Sequence, residues 1–558
     1  MRYGLLLIAL LLLAVPALAE VIPAPQPTGS IVYADNGTIW NISSAPFEWN
    51  NETAYNEDQF QIFAPIMANL TYPANLTNMS WSEAFLAANT LMEERYAFSG
   101  LKAVDWDALY QTYAPAVAAA EKDQDRAAYF RALRGYIYAI PDGHVSLLPA
   151  EGDFGAKYAD IGGDYGVAVT RLDSGTVIVS FVANGSQAEQ AGIRFGDVVT
   201  AWNGREILDA INTTSYIWAV KKPSTAEGIR LHQQRLLTRG SVGSTATITI
   251  NNSTASLPHT VTLTAYDDGY ANLKQTSWFL GIPVNDYGVD RSWEDILPQI
   301  SNETVTVRTL PGNYTYIAVY NEEYDVYQPF KAAMQNAIAN NTPGIVFDLR
   351  FNSGGDDSLA ACFAGWFVKK PAFYEYATKY DPGNGRFTTL SEAWSIPRAD
   401  GYSGPVAVLV SPDTISSGEG VPMILNRTGR GEVISFYGTN GAFGMNNVQA
   451  SLPLGLSLFF PDGASLDLNG TIQDDSNAGL TGGVSPGIRV PINKDTVARS
   501  MAGEDVQLTY ALQWLREQGN QTSVSKPSLS STPARKTSLD FTAALGALGI
   551  LVMVAGWK

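Results

Sequence analysis

Val406-Ala-Val-Leu-Val-Ser-Pro-Asp-Thr-Ile-Ser416-Ser-Gly-Glu419 is the stretch that decides how this chain folds. The apolar run Val406 to Val410 reads as a strand buried on both faces, the kind used inside parallel sheets. Pro412 and Asp413 stop it, and Ser416-Ser417 then opens a helix. A hydroxyl at that joint stands beside free helix N–H groups that can stabilise a developing oxyanion. The same residues also spell an S-x-x-E capping box from Ser416 to Glu419, in which both side chains would serve the helix end. Upstream, Ile345-Val-Phe-Asp-Leu-Arg350-Phe-Asn352-Ser-Gly354-Gly355 repeats the pattern: a buried strand ending in a polar turn. Its two glycines allow close backbone approach to a ligand, or simply make a turn capped by Asp356 or Asp357.

Working outward, strand-like segments at Tyr314–Tyr320, Val433–Tyr437 and Ile488–Val490 alternate with helical ones at Gln328–Ala339, Asp357–Phe367 and Gly418–Asn426. That alternation predicts an α/β core, a sheet with crossover helices, closed by a last helix at Val506–Gln518. Before it, from about Lys157 to Ala265, short β-branched runs separated by Gly, Asn and Ser predict a small β-rich domain. Earlier still, Trp81 to Ile140 carries apolar residues at helical spacing, and Pro141-Asp-Gly-His144 breaks the pattern with turn residues.

Three segments together carry a resemblance. D-L-R-x-N-x-G-G from Asp348, T-I-S-x-x-E from Thr414, and Pro141-Asp-Gly-His144-Val-Ser146 resemble the serine peptidases of the C-terminal processing protease and tricorn-core family. Tyr165-Gly-Val-Ala-Val169 and Ser186 to Gly204 resemble a PDZ domain, which that family often carries. The resemblance implies Ser416 as nucleophile, with oxyanion donors at Ser417 N–H and at the Gly354–Gly355 turn. The processing branch uses a lysine base, but the matching stretch here, Tyr437 to Asn446, contains no lysine. The tricorn branch uses a histidine at the position of His144, and a neutral imidazole can take a serine proton near pH 7. That branch also places an acid before a G-V-x-P turn, where this chain has Leu480-Thr-Gly-Gly-Val484-Ser-Pro486 and no carboxylate. Glu419, Asp475, Asp474 and Asp142 are the carboxylates left to orient the histidine. Tyr165, Gly166, Val167 and Ala168 have the form of a carboxylate-binding loop. With apolar residues from Thr225–Leu237 they would bind the C-terminus of a peptide.

Other sites are weaker. Gly483-Val-Ser485-Pro-Gly487 matches G-x-S-x-G, but Pro486 has no N–H to give an oxyanion hole, so Ser485 is a turn residue. Cys362 lies in an apolar helical stretch and reads as core, and His232 and His259 read as structural.

Composition bounds the rest. A net charge of −18 and a pI near 4.6 give no electrostatic reason to hold nucleic acid. One cysteine excludes an intramolecular disulfide framework, and three scattered histidines without HExxH argue against a zinc hydrolase. Without a P-loop motif, no nucleotide is implied either, so neither a metal nor a cofactor is expected. Arg2, the apolar run Leu5 to Val15 and Ala17-Leu-Ala19 form a secretory signal with its cleavage site. Phe541 to Trp557 forms a second apolar run behind a Ser/Thr/Pro-rich spacer, a membrane anchor or a sorting tail. Sixteen N-x-[ST] sequons, from Asn36 to Asn520, support an exported, glycosylated protein on the cell surface.

The expected organisation is a signal peptide (1–19), a helical domain carrying His144 (20–154), a PDZ-like domain (155–266), the α/β peptidase core (267–518), the spacer (519–540) and the tail (541–558). The expected activity is that of an extracytoplasmic serine endopeptidase of Ser/His type, acting on peptide or protein substrates. The alternative is an inactive relative that binds peptides or other ligands at the surface.

Overall fold

The computed structural model describes residues 30–33, 39–42, 72–150, 153–251, 258–277 and 304–524. The expected leader, the part of the expected spacer beyond 524 and the C-terminal apolar run lie outside the described residues. Among the described residues no helix is long and apolar enough to cross a membrane.

A six-stranded sheet forms the core, in the order Val305–Leu310, Tyr314–Val319, Ile345–Asp348, Val406–Leu409, Glu432–Ser435 and Ile488–Arg489. Its first pair is antiparallel and all later pairs are parallel. Every residue of Ile345–Asp348 and Val406–Leu409 is buried, as the unbroken apolar runs require of strands with helices on both faces. The crossover helices Tyr327–Ala339, Asp357–Gly365 and Ser417–Arg427 cover the sheet. The last helix, Val506–Val524, is tied to the sheet by Arg350, whose guanidinium bridges Asp348 and Asp505.

Three capped helices, Trp81–Arg95, Trp106–Asp123 and Arg126–Tyr138, begin behind Ser80, Asp105 and Asp125, each accepting a first-turn N–H. They pack on a second sheet whose order is Tyr72–Asn75, Met445–Ser451, Ser457–Gly463 and Ser146–Leu148. The helical region and the core therefore share one sheet and one apolar cluster, with Phe85, Tyr136, Leu458 and Phe460 at its centre. The sequence pattern did not bring residues 445–463 to the N-terminal helices. Nor did it register the long hairpin Ala372–Asp381 with Arg386–Ser395.

The β-rich region forms a sheet in the order His259–Thr264, Thr245–Asn251, Val198–Trp202, Val177–Val182 and Val167–Arg171. Val167–Arg171 is an edge strand, and its open side is covered by the helix Ala226–Leu236.

Candidate active site

The site sits where two neighbouring parallel strands end together, since Asp348 pairs with Leu409 in register. Ligands of open α/β sheets collect at such C-terminal strand ends. Here the two following turns are sewn to each other. Thr414 Oγ1 donates to Leu349 O at 2.7 Å, Ser411 Oγ to Arg350 O at 2.5 Å, and Ile415 N–H to Asn352 O at 3.2 Å.

Ser416 stands at the joint with φ 61° and ψ −141°, a conformation that costs an ordinary residue about 1–3 kcal/mol. Its side chain makes no cap hydrogen bond. The capping box is thus not formed: the Glu419 carboxylate turns away and accepts Thr439 Oγ1 at 2.5 Å and the N–H groups of Gly441 and Ala442. The main chain at Ser416 is held by its own N–H to Ala442 O at 2.9 Å. Ser417 N–H, one residue into the helix and buried, has no acceptor among the described residues and is a ready oxyanion donor.

Gly354 packs directly on Ser416. Its φ is +81°, and a Cβ there would collide with Ser416 Cβ and lie 2.9 Å from Ile415 O, so only glycine fits. The N–H groups of this turn are already engaged: Gly354 donates to Asn352 Oδ1 at 2.9 Å and Gly355 to Ser417 Oγ at 2.6 Å. Of the three predicted donors, Ser417 alone is uncommitted. Beneath the turn lies Glu322, which the sequence reading missed. It accepts Asn352 Nδ2 at 2.6 Å and Ser417 Oγ at 3.4 Å, and burial pushes its carboxyl up to about 8. No local motif marks Glu322; only the contact of two distant segments reveals it.

His144 lies in the Pro141–His144 turn, buried, and that turn packs on the Ser416 segment. A side chain at Gly143 would meet Ile415 Cδ1 at 2.5 Å and Asn440 Oδ1 at 2.7 Å. Asp142 Oδ1 lies 3.9 Å from His144 Nδ1, and among the described residues Nδ1 has no hydrogen-bond partner. Asp142 also accepts the His144 N–H at 2.8 Å and Tyr96 OH at 2.6 Å. Burial would raise its carboxyl, yet Lys102, His144, Tyr96 and Lys222 together hold it below the usual carboxylate range. Burial pushes the His144 imidazole below its ordinary value; Asp142 opposes this, while Lys102 and Lys221 push the same way.

The expected carboxylate partners therefore need correction. Glu419 is spent on the 439–442 turn, and burial raises it to about 8. Asp475 makes no ion pair with His144 among the described residues; burial raises its carboxyl well above normal, with Asp142 and Glu419 adding to this and Lys102 and the Phe443 N–H opposing. Asp474 is raised by burial to about 7, with Arg427 opposing. Asp142 is the carboxylate at the imidazole.

A second correction concerns the predicted peptide-binding loop. Gly166 N–H donates to Asp164 Oδ1 at 2.6 Å and Tyr165 N–H to Thr238 O at 3.3 Å, so neither is turned out for a terminal carboxylate. At the end of the strand Val167–Arg171, Gln234 Oε1 accepts Arg171 N–H at 3.0 Å, and Ala168 is buried. Leu231 packs with Tyr314, Val346 and Ala407 of the core, and Leu236 with the helical region, so neither lines a groove in the insert.

Residues 313–490 match the family model of Peptidase family S41, and residues 78–133 match that of the Tricorn protease C1 domain. No curated protein matches the chain. Among solved structures, mature CPAF is similar with a TM-score of 0.52 and 12% identity, covering 79% of this chain and 98% of that one. The photosystem II D1 C-terminal processing protease aligns at 18% identity over 76% of this chain and 97% of that one, with a TM-score of 0.33. The tricorn protease aligns at 15% identity over 79% of this chain and 37% of its own, with a TM-score of 0.38. The likeness to CPAF is one of fold.

Proposed function

We propose that this chain, whose residues 313–490 match the family model of Peptidase family S41, is a serine endopeptidase of Ser/His type working outside the cytoplasm. Ser416 Oγ attacks the scissile carbonyl while His144 Nε2 takes its proton. An ester forms between Ser416 and the acyl half, and the amine half leaves with the proton from His144. Water then repeats the sequence on the ester and frees the new C-terminus. Ser417 N–H holds the oxyanion, and Asp142 supplies the negative charge that favours the transient imidazolium.

The observation that carries this reading is the strained, uncapped Ser416 beside the uncommitted Ser417 N–H. Digestion of an unstructured protein, with new N-termini identified by mass spectrometry, tests it. Wild type should cut internal bonds and Ser416→Ala should not; equal cutting by both refutes it.

The proposed location rests on the leader at 1–19 and the apolar tail at 541–558, which would tether the chain. The sequons add support. Asn75, Asn78, Asn184, Asn212, Asn251, Asn313, Asn340, Asn426 and Asn469 are all exposed. The buried Asn89, Asn272, Asn352 and Asn440 stand outside sequons. The rival reading, an inactive peptide-binding relative, draws support from the engaged Gly354 and Gly355 N–H groups. It predicts binding of the same substrate without turnover. The Gly166 loop, whose N–H donates to Asp164, lends no support to selection of peptide C-termini by the insert.

A further inference from the structure

Within the insert, at the start of the helix Ala226–Leu236, runs Lys222-Pro-Ser224-Thr-Ala-Glu227, and its polar side chains reach the segments around His144 and Ser416. Ser224, fully buried, accepts Gly143 N–H at 2.8 Å and donates to Asn440 Oδ1 at 2.7 Å. Lys222 Nζ donates to Val145 O at 3.0 Å and to Ile137 O at 2.6 Å. Gly143 and Val145 are the two neighbours of His144. The histidine is therefore gripped through the main chain on both sides by one short segment.

Asn440 carries the grip across to the nucleophile. Its Nδ2 donates to Lys222 O at 3.1 Å and to Pro412 O at 2.9 Å, and its N–H donates to Thr414 O at 2.9 Å. Further along, Glu227 Oε1 accepts Gly438 N–H at 2.5 Å, fixing the start of the same turn. On the ring itself, Nδ1 makes no hydrogen bond among the described residues. Main-chain clamps, more than the side-chain carboxylate, set where the ring stands.

We propose that Lys222 and Ser224 are positioning residues of the peptidase reaction, holding His144 against Ser416 through Gly143, Val145 and Asn440. This segment of the insert is then a structural part of the catalytic centre. This rests on the Ser416/His144 reading given above.

A ring displaced by about 1 Å loses on the order of a hundredfold in rate. Ser224→Ala and Lys222→Met should therefore each lower kcat about tenfold to a hundredfold with KM within about twofold, a turnover effect without a binding effect. Ser224→Thr, which keeps the hydroxyl, should recover most of the rate. In a His144→Ala background Ser224→Ala should change the residual rate less than about twofold, because residues acting as a unit are not additive. Independently of activity, Ser224→Ala should speed amide exchange about tenfold or more at residues 141–146 and 437–442 and leave 345–349 unchanged. Unchanged exchange in the two turns overturns the proposal, as does an unchanged kcat or an equal loss without His144. If wild type hydrolyses nothing, the peptidase reading fails, and the exchange measurement alone decides whether the segment holds the histidine turn.

Discussion

Two turns of this molecule look alike and do opposite things. The backbone takes a positive φ at Ser416, +61°, and at Gly166, +78°. At Gly166 the conformation costs nothing, because glycine has no Cβ, and the N–H closes on Asp164. At Ser416 a side chain endures the same sign of φ, its hydroxyl caps nothing, and the next N–H is left without an acceptor. A relaxed turn with satisfied donors holds a fold together. A strained turn with idle polar groups is arranged for something that is not part of the chain.

The largest effect expected from breaking this contrast is at Ser416. Ser416→Ala should lower hydrolysis by about 10⁴-fold or more while unfolding free energy changes by less than about 0.5 kcal/mol, because no cap bond is lost. A stability loss near 1 kcal/mol with activity intact would make Ser416 a helix cap. Next comes Gly354→Ala. It places a Cβ against Ser416 in a backbone region unfavourable to alanine, and should cost about 1–3 kcal/mol of stability and on the order of a hundredfold in kcat. Wild-type kinetics in this variant would show that the turn does not press on the nucleophile.

Asp142→Asn sharpens the electrostatics. Activity needs the neutral His144 ring, so the rate is full above its pKa and falls as pH drops through it. That pKa is held below the ordinary imidazole value by burial, helped by Lys102 and Lys221, with Asp142 pulling upward. Removing the Asp142 charge should move the acid limb of kcat/KM to lower pH and lower the plateau about tenfold to a hundredfold. A limb that moves to higher pH contradicts the assignment of Asp142. The smallest effect belongs to the other turn. Peptide substrates with free and amidated C-termini should differ in KM by less than about twofold, since the Gly166 loop offers them no idle donor. A tenfold preference for the free acid would reopen that loop as a binding site.

Much of the core was legible because its signals are local. Val406–Val410 and Ile345–Leu349 are unbroken apolar runs, and each is followed by turn residues, so strand, turn and helix could be placed from a few residues. The positions of Ser416 and Gly354 came with those turns, and that of His144 with the Pro141–His144 turn that breaks the N-terminal helical pattern. What stayed hidden depends on contacts between distant segments. Glu322 becomes part of the site only when Tyr314–Val319 lies beside Ile345–Asp348. Residues 445–463 join the N-terminal helices through strand pairing that no short pattern announces. The Gly166 loop misled for a related reason: its sequence permits a carboxylate nest, and only the placement of Asp164 and Gln234 shows that it is filled from within.

Labelling with a serine-directed fluorophosphonate, read by intact mass and peptide mapping, tests the central claim most directly. The account predicts one adduct per chain on Ser416, none in Ser416→Ala, and markedly slower labelling in His144→Ala, with all three proteins equally folded. An unlabelled wild type, or an adduct that survives in Ser416→Ala, would contradict it.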